Sequence, residues 1–143
     1  NPCTNQKFYA IKNNGAYCNG DRITDGKVNN LEKARIAISS SEYKEFDRKK
    51  LKFKNIEKIG SIAYKIALVA NGTIDATLSF SKKSDWDIAA ASIILSEAGG
   101  KITSISGEKI FYNSENLKIP SLISANLAIH KKFCDRIRYN ESI

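Results

Sequence analysis

The sequence predicts a layered α/β fold in which helices flank a sheet. Short apolar or alternating segments are followed repeatedly by segments whose apolar residues recur at helical spacing. The chain has 143 residues and 42% of them are hydrophobic, which suits one compact domain or half of a two-part enzyme. The longest apolar run, residues 62–70, is interrupted by Tyr64 and Lys65, so we expect no membrane span.

Strand and helix patterns alternate along the whole chain. Turn residues at 13–15 and 19–20 bracket a short strand. In chain order, the predicted elements are a β-hairpin from residue 7 to 18, a strand over 34–39, helices over 41–50 and 59–70, a strand over 73–80, a helix over 84–98, strands over 101–105 and 121–124, and a final helix after residue 126.

Capping residues support three of these helices. Ser41 suits the N-cap of the first helix, Ser84 or Asp85 that of the third, and Asn126 that of the last. Gly72 follows the second helix and a Gly-Gly pair at 99–100 follows the third, as expected at helix C-termini.

The net charge and the cysteine content limit the classes of function that this protein could have. The net charge is +8, and residues 44–58 hold seven Lys or Arg against three acids. We interpret this segment as a solvated face, although a phosphate-bearing substrate would also fit a positive field. The alternative is a non-catalytic module that binds RNA or an acidic protein. The three cysteines match no metal or redox motif, which predicts reduced thiols in a cytoplasmic protein.

The sharpest motif is SDWDIAAA at residues 84–91. It places Asp87 in the first turn of a helix, where the helix N-terminal field stabilises a carboxylate. A carboxylate held in this way suits a hard cation such as Mg²⁺. The competing interpretation is a capping carboxylate beside a packed Trp86.

Two further segments are candidates for substrate binding. Gly60, Ser61 and Ile62 open a helix, where backbone N–H groups can hold a phosphate or a hydroxyl, or merely cap the helix. Lys82 and Lys83 lie in the loop before the Asp87 helix. They would meet a second phosphate of the substrate, or are simply solvated.

His130 is the only histidine of the chain. It falls on the apolar side of the last helix, so we expect a structural rather than a catalytic role. With this residue discounted, Ser-His-Asp and Cys-His catalysis are not expected.

Several motifs together resemble the inositol monophosphatase superfamily. The residues WDIAA at 86–90, followed after seven positions by AGG at 98–100, resemble its C-terminal signature. The segments GSIA at 60–63 and ALVANG at 67–72 resemble the preceding helix. Residues 1–20 resemble the stretch where the family's first domain finishes.

This resemblance implies a fold and a division of the chain. The fold is the C-terminal part of the αβαβα sandwich of the sugar-phosphatase fold, an α/β arrangement with a layered mixed sheet and flanking helices. Residues 1–33 would be the end of the first domain, and residues 34–143 the C-terminal α/β domain. Asp87 takes the position of a Mg²⁺ ligand, while Gly60, Ser61 and Ile62 would line the substrate site.

The departures from the family are equally informative. Its other metal ligands, a Glu and the two Asp of an Asp-Pro-(Ile/Leu)-Asp-Gly-Thr motif, have no counterpart in these residues. One carboxylate does not make a two-metal or three-metal site. We therefore expect a fragment that is inactive alone and whose intact parent is a Mg²⁺-dependent phosphomonoesterase. The absence of Met also suggests the interior of a longer protein.

The resemblance leaves the substrate and the assembly open. Inositol-specific members carry a Glu near the positions of Ser79 and Phe80 that contacts the sugar ring, and this Glu is absent. An inositol phosphate, a 3′(2′),5′-bisphosphate nucleotide and a sugar bisphosphate all remain candidates. The expected partners are this small phosphorylated substrate, the missing N-terminal half, and a second copy in a homodimer of the intact enzyme. Nucleic acid and membrane are not expected partners.

Overall fold

The computed structural model describes residues 1–48 and 51–141 of the chain. In chain order, its elements are β1 (Phe8–Ile11), β2 (Gly15–Cys18), β3 (Asp21–Ile23), a 3₁₀ turn (Leu31–Lys33), β4 (Arg35–Ile38), α1 (Tyr43–Arg48), β5 (Asn55–Lys58), α2 (Ile62–Ala70), β6 (Ala76–Ser79), β7 (Lys83–Ser84), α3 (Asp85–Glu97), β8 (Lys101–Thr103), β9 (Lys118–Ile119), β10 (Leu122–Ala125) and α4 (Leu127–Glu141).

The central sheet has five strands in the order β5-β4-β6-β10-β8. Strand β4 runs parallel to both β5 and β6, whereas β10 is antiparallel to β6 and to β8. This mixed sheet with flanking helices confirms the predicted fold class. The three parallel strands end at the same side of the sheet, which we call the carboxyl edge.

Helices cover both faces of this sheet. Alternation along β4 sends Ile36 and Ile38 into a core with α1 and α4, and sends Ala37 into a second core with α2 and α3. Full burial of an apolar side chain such as these contributes about 1.5–3 kcal/mol. The sheet is therefore held by two apolar layers, one on each face.

Of the three predicted helix caps, Ser84 and Asn126 are confirmed, whereas Ser41 is not the N-cap of α1, which begins at Tyr43. Ser61 is the N-cap of α2, and its side chain accepts a hydrogen bond from the Tyr64 N–H. Ser84 is the N-cap of α3, and Asn126 Oδ1 accepts from the Ile129 N–H at 3.1 Å at the start of α4. Gly99 follows α3 with a φ of +101°, a conformation that favours glycine.

Three features differ from the sequence-based expectation. The opening hairpin is a three-stranded antiparallel meander, because β3 adds to β2. The lysine-rich segment contains β5, which pairs in parallel with β4. The ribbon β7-β9 joins two polar segments that lie far apart in the chain. The last two residues of the helix predicted over 41–50 lie outside the described residues.

Long-range hydrogen bonds attach the meander to α3 and join β4 to the start of β6. The Glu97 carboxylate accepts from the N–H groups of Asn13 and Gly15 at 2.9 and 3.0 Å, which ties the β1-β2 turn to α3. The buried carboxylate of Asp75 accepts from the backbone N–H and the Nε of Arg35.

No helix in the described part of the chain is long and apolar enough to span a membrane. The division at residues 33 and 34 stays a prediction.

Candidate active site at the carboxyl edge

The predicted substrate residues follow strands that end at the carboxyl edge. Gly60 and Ser61 come after β5, and the loop containing Lys82 and Lys83 comes after β6. The segment between β4 and α1, residues 39–42, ends at the same edge. Ligands of α/β sheets bind outside the carboxyl ends of parallel strands. The topology thus places at one edge segments that are up to 44 positions apart in the sequence, from residue 39 to residue 83.

Ser61 adopts an uncommon backbone conformation. Its φ is +55°, and its hydroxyl accepts from the Tyr64 N–H at 3.3 Å. Positive φ in a residue other than glycine costs about 1–3 kcal/mol and is often found at functional sites. A hypothetical Cβ on Gly60 would meet no atom within 4 Å, so the space beside this turn is open.

A groove of about 1100 Å³ runs beside this turn. Its floor lies between α2 and α3, with Ser61, Ala63 and Tyr64 on one side and Ala90 and Ile94 on the other, and residues 1–8 of the N-terminal segment close it. The lining is predominantly apolar, so the groove alone does not identify a phosphate site.

Asp87 lies in the first turn of α3 and is exposed. Its Oδ2 accepts a hydrogen bond from the Ser84 N–H at 2.9 Å, so the carboxylate does cap the helix. Trp86 is 70% exposed and does not pack into the core, contrary to the competing interpretation of this motif. A carboxylate has two oxygens, so capping through one of them leaves a possible metal ligand.

Asp85, next to this motif, behaves differently. It is 9% exposed, and its Oδ2 accepts from the Asn113 N–H at 2.5 Å. Its Oδ1 is buried with no hydrogen-bond partner among the described residues. This side chain fastens the loop before β9 to the start of α3, which supports the position of Asp87.

The described residues do not make a complete metal site. No group of three or more His, Cys, Asp or Glu side chains suited to a metal occurs within residues 1–48 and 51–141. Mg²⁺ prefers six oxygen ligands in octahedral geometry. Asp87 would supply one of them, so the chain by itself does not fit a catalytic magnesium site.

The two lysines of the loop, Lys82 and Lys83, have different surroundings. Lys82 is exposed. Lys83 has a side chain that is only 18% exposed, and its Nζ lies 3.7 Å from Glu42 Oε1. The Lys83 ammonium also donates to the Ser81 hydroxyl. Of these two lysines, only Lys82 is therefore exposed to solvent.

Glu42 organises this region and was not predicted from the sequence. It is 7% exposed, and its Oε1 accepts from Ser79 Oγ at 2.5 Å, Ser81 Oγ at 2.7 Å and Ser81 N–H at 3.0 Å. Its Oε2 accepts from Ser39 Oγ at 2.7 Å. Burial acts to raise the pKa of Glu42, but these hydrogen bonds outweigh it and lower the pKa to about 2.

Lys65 of α2 is the second unpredicted charge and is only 1% exposed. Burial lowers its pKa, the charge of Glu42 opposes that shift, and the charge of Lys83 adds to it. The signal in the sequence was the interruption of an apolar helix stripe by a lysine. Glu42, whose charge acts on Lys65, is 23 positions away in the sequence, so only the fold brings the two charges near each other.

His130 has a structural environment. It is buried on the inner face of α4, where its Nε2 lies 3.1 Å from Thr103 Oγ1. Burial, assisted by the charge of Lys101, lowers the pKa of His130 to about 4. The imidazole is therefore neutral near neutral pH and lies on the opposite face of the sheet from α3.

Comparison with known proteins places this fold in a family. The model of the "Inositol monophosphatase family" matches residues 1–138, so the chain belongs to that family. Sequence identity is 33% over 120 residues to a fructose-1,6-bisphosphatase/inositol-1-monophosphatase of Thermotoga maritima. It is 31% over 132 residues to an inositol-1-monophosphatase of Bacillus subtilis.

The chain spans about half the length of these relatives. It covers 46% of the Thermotoga protein and 48% of the Bacillus protein, with 80% and 87% of its own residues. The solved structure of a Thermotoga maritima IMPase superimposes with a TM-score of 0.80 at 28% identity, over 99% of this chain and 54% of that one. The inositol monophosphatase from Anabaena gives 0.81 at 23% identity, over 96% and 56%.

Proposed function

We propose that this chain carries the C-terminal part of the active site of a Mg²⁺-dependent phosphomonoesterase. The observation that carries the proposal is the placement of the Gly60–Ser61 turn, the Lys82 loop and the α3 N-terminus at the carboxyl edge of the sheet, in a chain of this family. The relatives it matches are named as phosphatases of inositol monophosphate and fructose 1,6-bisphosphate. Substrates of this chemistry suit its net positive charge.

The proposed roles follow from the position of each residue. Asp87 would hold one Mg²⁺ through the oxygen that does not cap α3. Gly60, Ser61 and Ile62 would line the substrate site with backbone N–H groups and the serine hydroxyl. Lys82 would meet an anionic group of the substrate. When bound, the metal would neutralise phosphate charge and activate the attacking water.

The substrate is an inositol phosphate, a 3′(2′),5′-bisphosphate nucleotide or a sugar bisphosphate. Ser79, where inositol-specific members carry a carboxylate nearby, instead donates its hydroxyl to Glu42. A carboxylate is therefore present beside this position, although it comes from a different segment of the chain.

We also propose that the intact enzyme covers the outer face of α3. This helix buries Ile88, Ala91 and Leu95, yet Trp86 and Ile93 are exposed on its other side. A helix that is apolar all round is normally buried. We propose that this face is covered by the half of the enzyme that the relatives have and this chain does not span. The intact enzyme would in addition form a homodimer. The chain alone should then be inactive and prone to self-association.

Phosphate release in the presence of Mg²⁺ tests the proposal. The substrates are inositol monophosphate and 3′-phosphoadenosine 5′-phosphate, offered to this chain alone and to the chain joined to its native upstream half. We expect turnover only in the longer protein, and the preferred substrate identifies the branch of the family. Turnover by the short chain would show that our account of the metal site is wrong. Absence of turnover of either substrate by both proteins would contradict the inositol phosphate and bisphosphate nucleotide assignments.

A substitution at the metal ligand gives a sharper test. In the longer protein, Asp87→Asn keeps an oxygen that can cap α3 but removes the charge that binds Mg²⁺. We expect turnover to fall about 10²-fold or more, since metal-assisted charge stabilisation contributes several kcal/mol. Ser92→Ala, which removes a hydroxyl that donates to the Ala89 carbonyl one turn back in α3 and also interacts with Tyr112, away from the Asp87 carboxylate, is the control. Unchanged Mg²⁺-dependent turnover in Asp87→Asn would refute the assignment.

A further inference from the structure

A single buried carboxylate holds the segment that runs from the last residue of β6 through β7 to the start of α3, residues 79–84, which we call the substrate loop. Among the described residues, three of the four hydrogen-bond donors to Glu42 belong to this loop, namely the Ser79 hydroxyl and both the hydroxyl and the N–H of Ser81. The fourth, Ser39, follows β4 and anchors Glu42 to the sheet. Glu42 thus connects the loop to the carboxyl edge.

The far end of the substrate loop is fixed by other contacts. Strand β7 pairs with β9, and the Ser84 N–H donates to the Asp87 carboxylate. The loop is therefore held at its first half by Glu42 and at its end by the residue that we assign to the metal. Between these two anchors lie Lys82 and Lys83, whose side chains have opposite surroundings.

Charge explains why the two lysines differ. The Lys83 ammonium lies 3.7 Å from Glu42 in a region that is largely shielded from water. Salt screens such a pair much less than it screens an exposed pair. The ammonium is further held by the Ser81 hydroxyl. Buried Lys65 contributes a second positive charge beside Glu42, which adds to the need for the carboxylate there.

We propose that Glu42 is a positioning residue that determines substrate specificity: it orders the substrate loop and withholds Lys83, so that Lys82 alone is presented to the substrate. The site then favours substrates with one phosphate group over substrates with two. This inference rests on the proposed function, because it assigns the substrate loop to substrate binding.

Hydrogen exchange tests the positioning role without any need for turnover. Glu42→Gln has the same shape and keeps an acceptor oxygen but removes the charge. We expect the Ser81 N–H to exchange about tenfold faster or more, since a hydrogen bond to a charged acceptor is roughly twice as strong as one to a neutral acceptor. Glu115→Gln, the same substitution at an exposed carboxylate, is the control and should leave this exchange rate unchanged. Unchanged exchange in Glu42→Gln would overturn the positioning role.

Binding of two probes tests the specificity role. The affinities of glucose 1-phosphate and glucose 1,6-bisphosphate are measured by calorimetry at low salt, and their ratio cancels effects common to both. We expect Glu42→Gln to raise the relative affinity for the bisphosphate several-fold, because Lys83 loses its counter-ion. Adding Lys83→Gln to that variant should remove the gain, and the same substitution in the unaltered chain should change the ratio less.

The outcomes separate this inference from the proposed function. Faster exchange with an unchanged affinity ratio would overturn the specificity role of Glu42. If neither probe binds any variant, the assignment of the loop to substrate fails together with the proposed function. The exchange rate of Ser81 then still decides whether Glu42 orders the loop.

Discussion

Helices α3 and α4 cover opposite faces of the same sheet, but their outer faces differ. The outer face of α4 is mostly charged: Asp135 pairs with Lys131 at 2.7 Å and with Arg138 at 2.6 Å. Between Asp87 and Glu97, by contrast, α3 contains no charged residue. Trp86 and Ile93 are exposed there, next to two alanines that allow close approach of another element.

This difference distinguishes an outer layer from an inner layer. A charged outer face is what a helix in contact with water needs, whereas a helix that is apolar on both faces belongs between two layers. The family match and the partial coverage of the relatives fit this distinction, because the chain corresponds to about half of an alternating α and β sandwich. Three predictions test it, ordered by the expected change in the free energy of unfolding.

Truncation of the inner faces should have the largest effect, and a similar one in both helices. Phe133 of α4 and Leu95 of α3 are completely buried, each in the core on its own face of the sheet. Phe133→Ala should cost about 3–5 kcal/mol and Leu95→Ala about 2–5 kcal/mol, as measured by denaturant unfolding. A cost below about 1 kcal/mol for either would show that the helix is not packed as described.

Acid should lower the free energy of unfolding through His130, which is buried on the α4 side of the sheet. The pKa of His130 is about 4 when folded, against 6.5 for an ordinary histidine, so the unfolded chain binds the extra proton first. The stability from neutral His130 is fully present above about pH 6.5 and is lost as the pH falls towards 4, by up to about 3 kcal/mol.

Unfolding measured between pH 4 and 7 checks this expectation. His130→Gln should flatten the pH dependence in that range. Glu42 has a pKa of about 2, so its charge affects the free energy of unfolding only below the ordinary carboxyl pKa of 4.5. Its effect is therefore separable from that of His130, which acts at higher pH. An unchanged slope in His130→Gln would mean that the imidazole is not buried in its neutral form.

A charge placed on the outer face of α3 or α4 should have the smallest effect on the free energy of unfolding. It should change self-association only when it is placed on α3. Ile93→Lys on α3 should alter the free energy of unfolding by about 0.5 kcal/mol or less, as is usual for surface positions. It should nevertheless shift the chain towards monomer in sedimentation. Tyr139→Lys replaces an exposed aromatic residue of α4 and is the matched control, with no shift expected. A monomeric unaltered chain would contradict the self-association proposal.

Much of the fold was predictable because it depends on local pattern. The apolar stripe of α2 and the caps Ser84 and Asn126 are signals within one or two helical turns, and these elements are where the sequence predicted them. Strand β5 escaped prediction, because its residues, Asn-Ile-Glu-Lys, do not read as a strand until β4 supplies the hydrogen-bond partners.

In the candidate site too, some residues were predictable from the sequence and others were not. The motif around Asp87 was identifiable from contiguous residues, and the structure adds that Asp87 caps α3 while Trp86 stays exposed. Glu42 and Lys65 carried no recognisable motif. A buried carboxylate needs donors, and those donors lie 37 and 39 positions further along the chain.

The sequence by itself determined the α/β class, the helix positions and the family, because periodicity, caps and a contiguous signature are local properties of the chain. Only the tertiary structure decided which strands are parallel, which lysine of the substrate loop is presented to solvent, and that one face of α3 is exposed. Strand pairing and the burial of charge are settled by contacts between residues distant in sequence, and those contacts exist only once the sheet has formed.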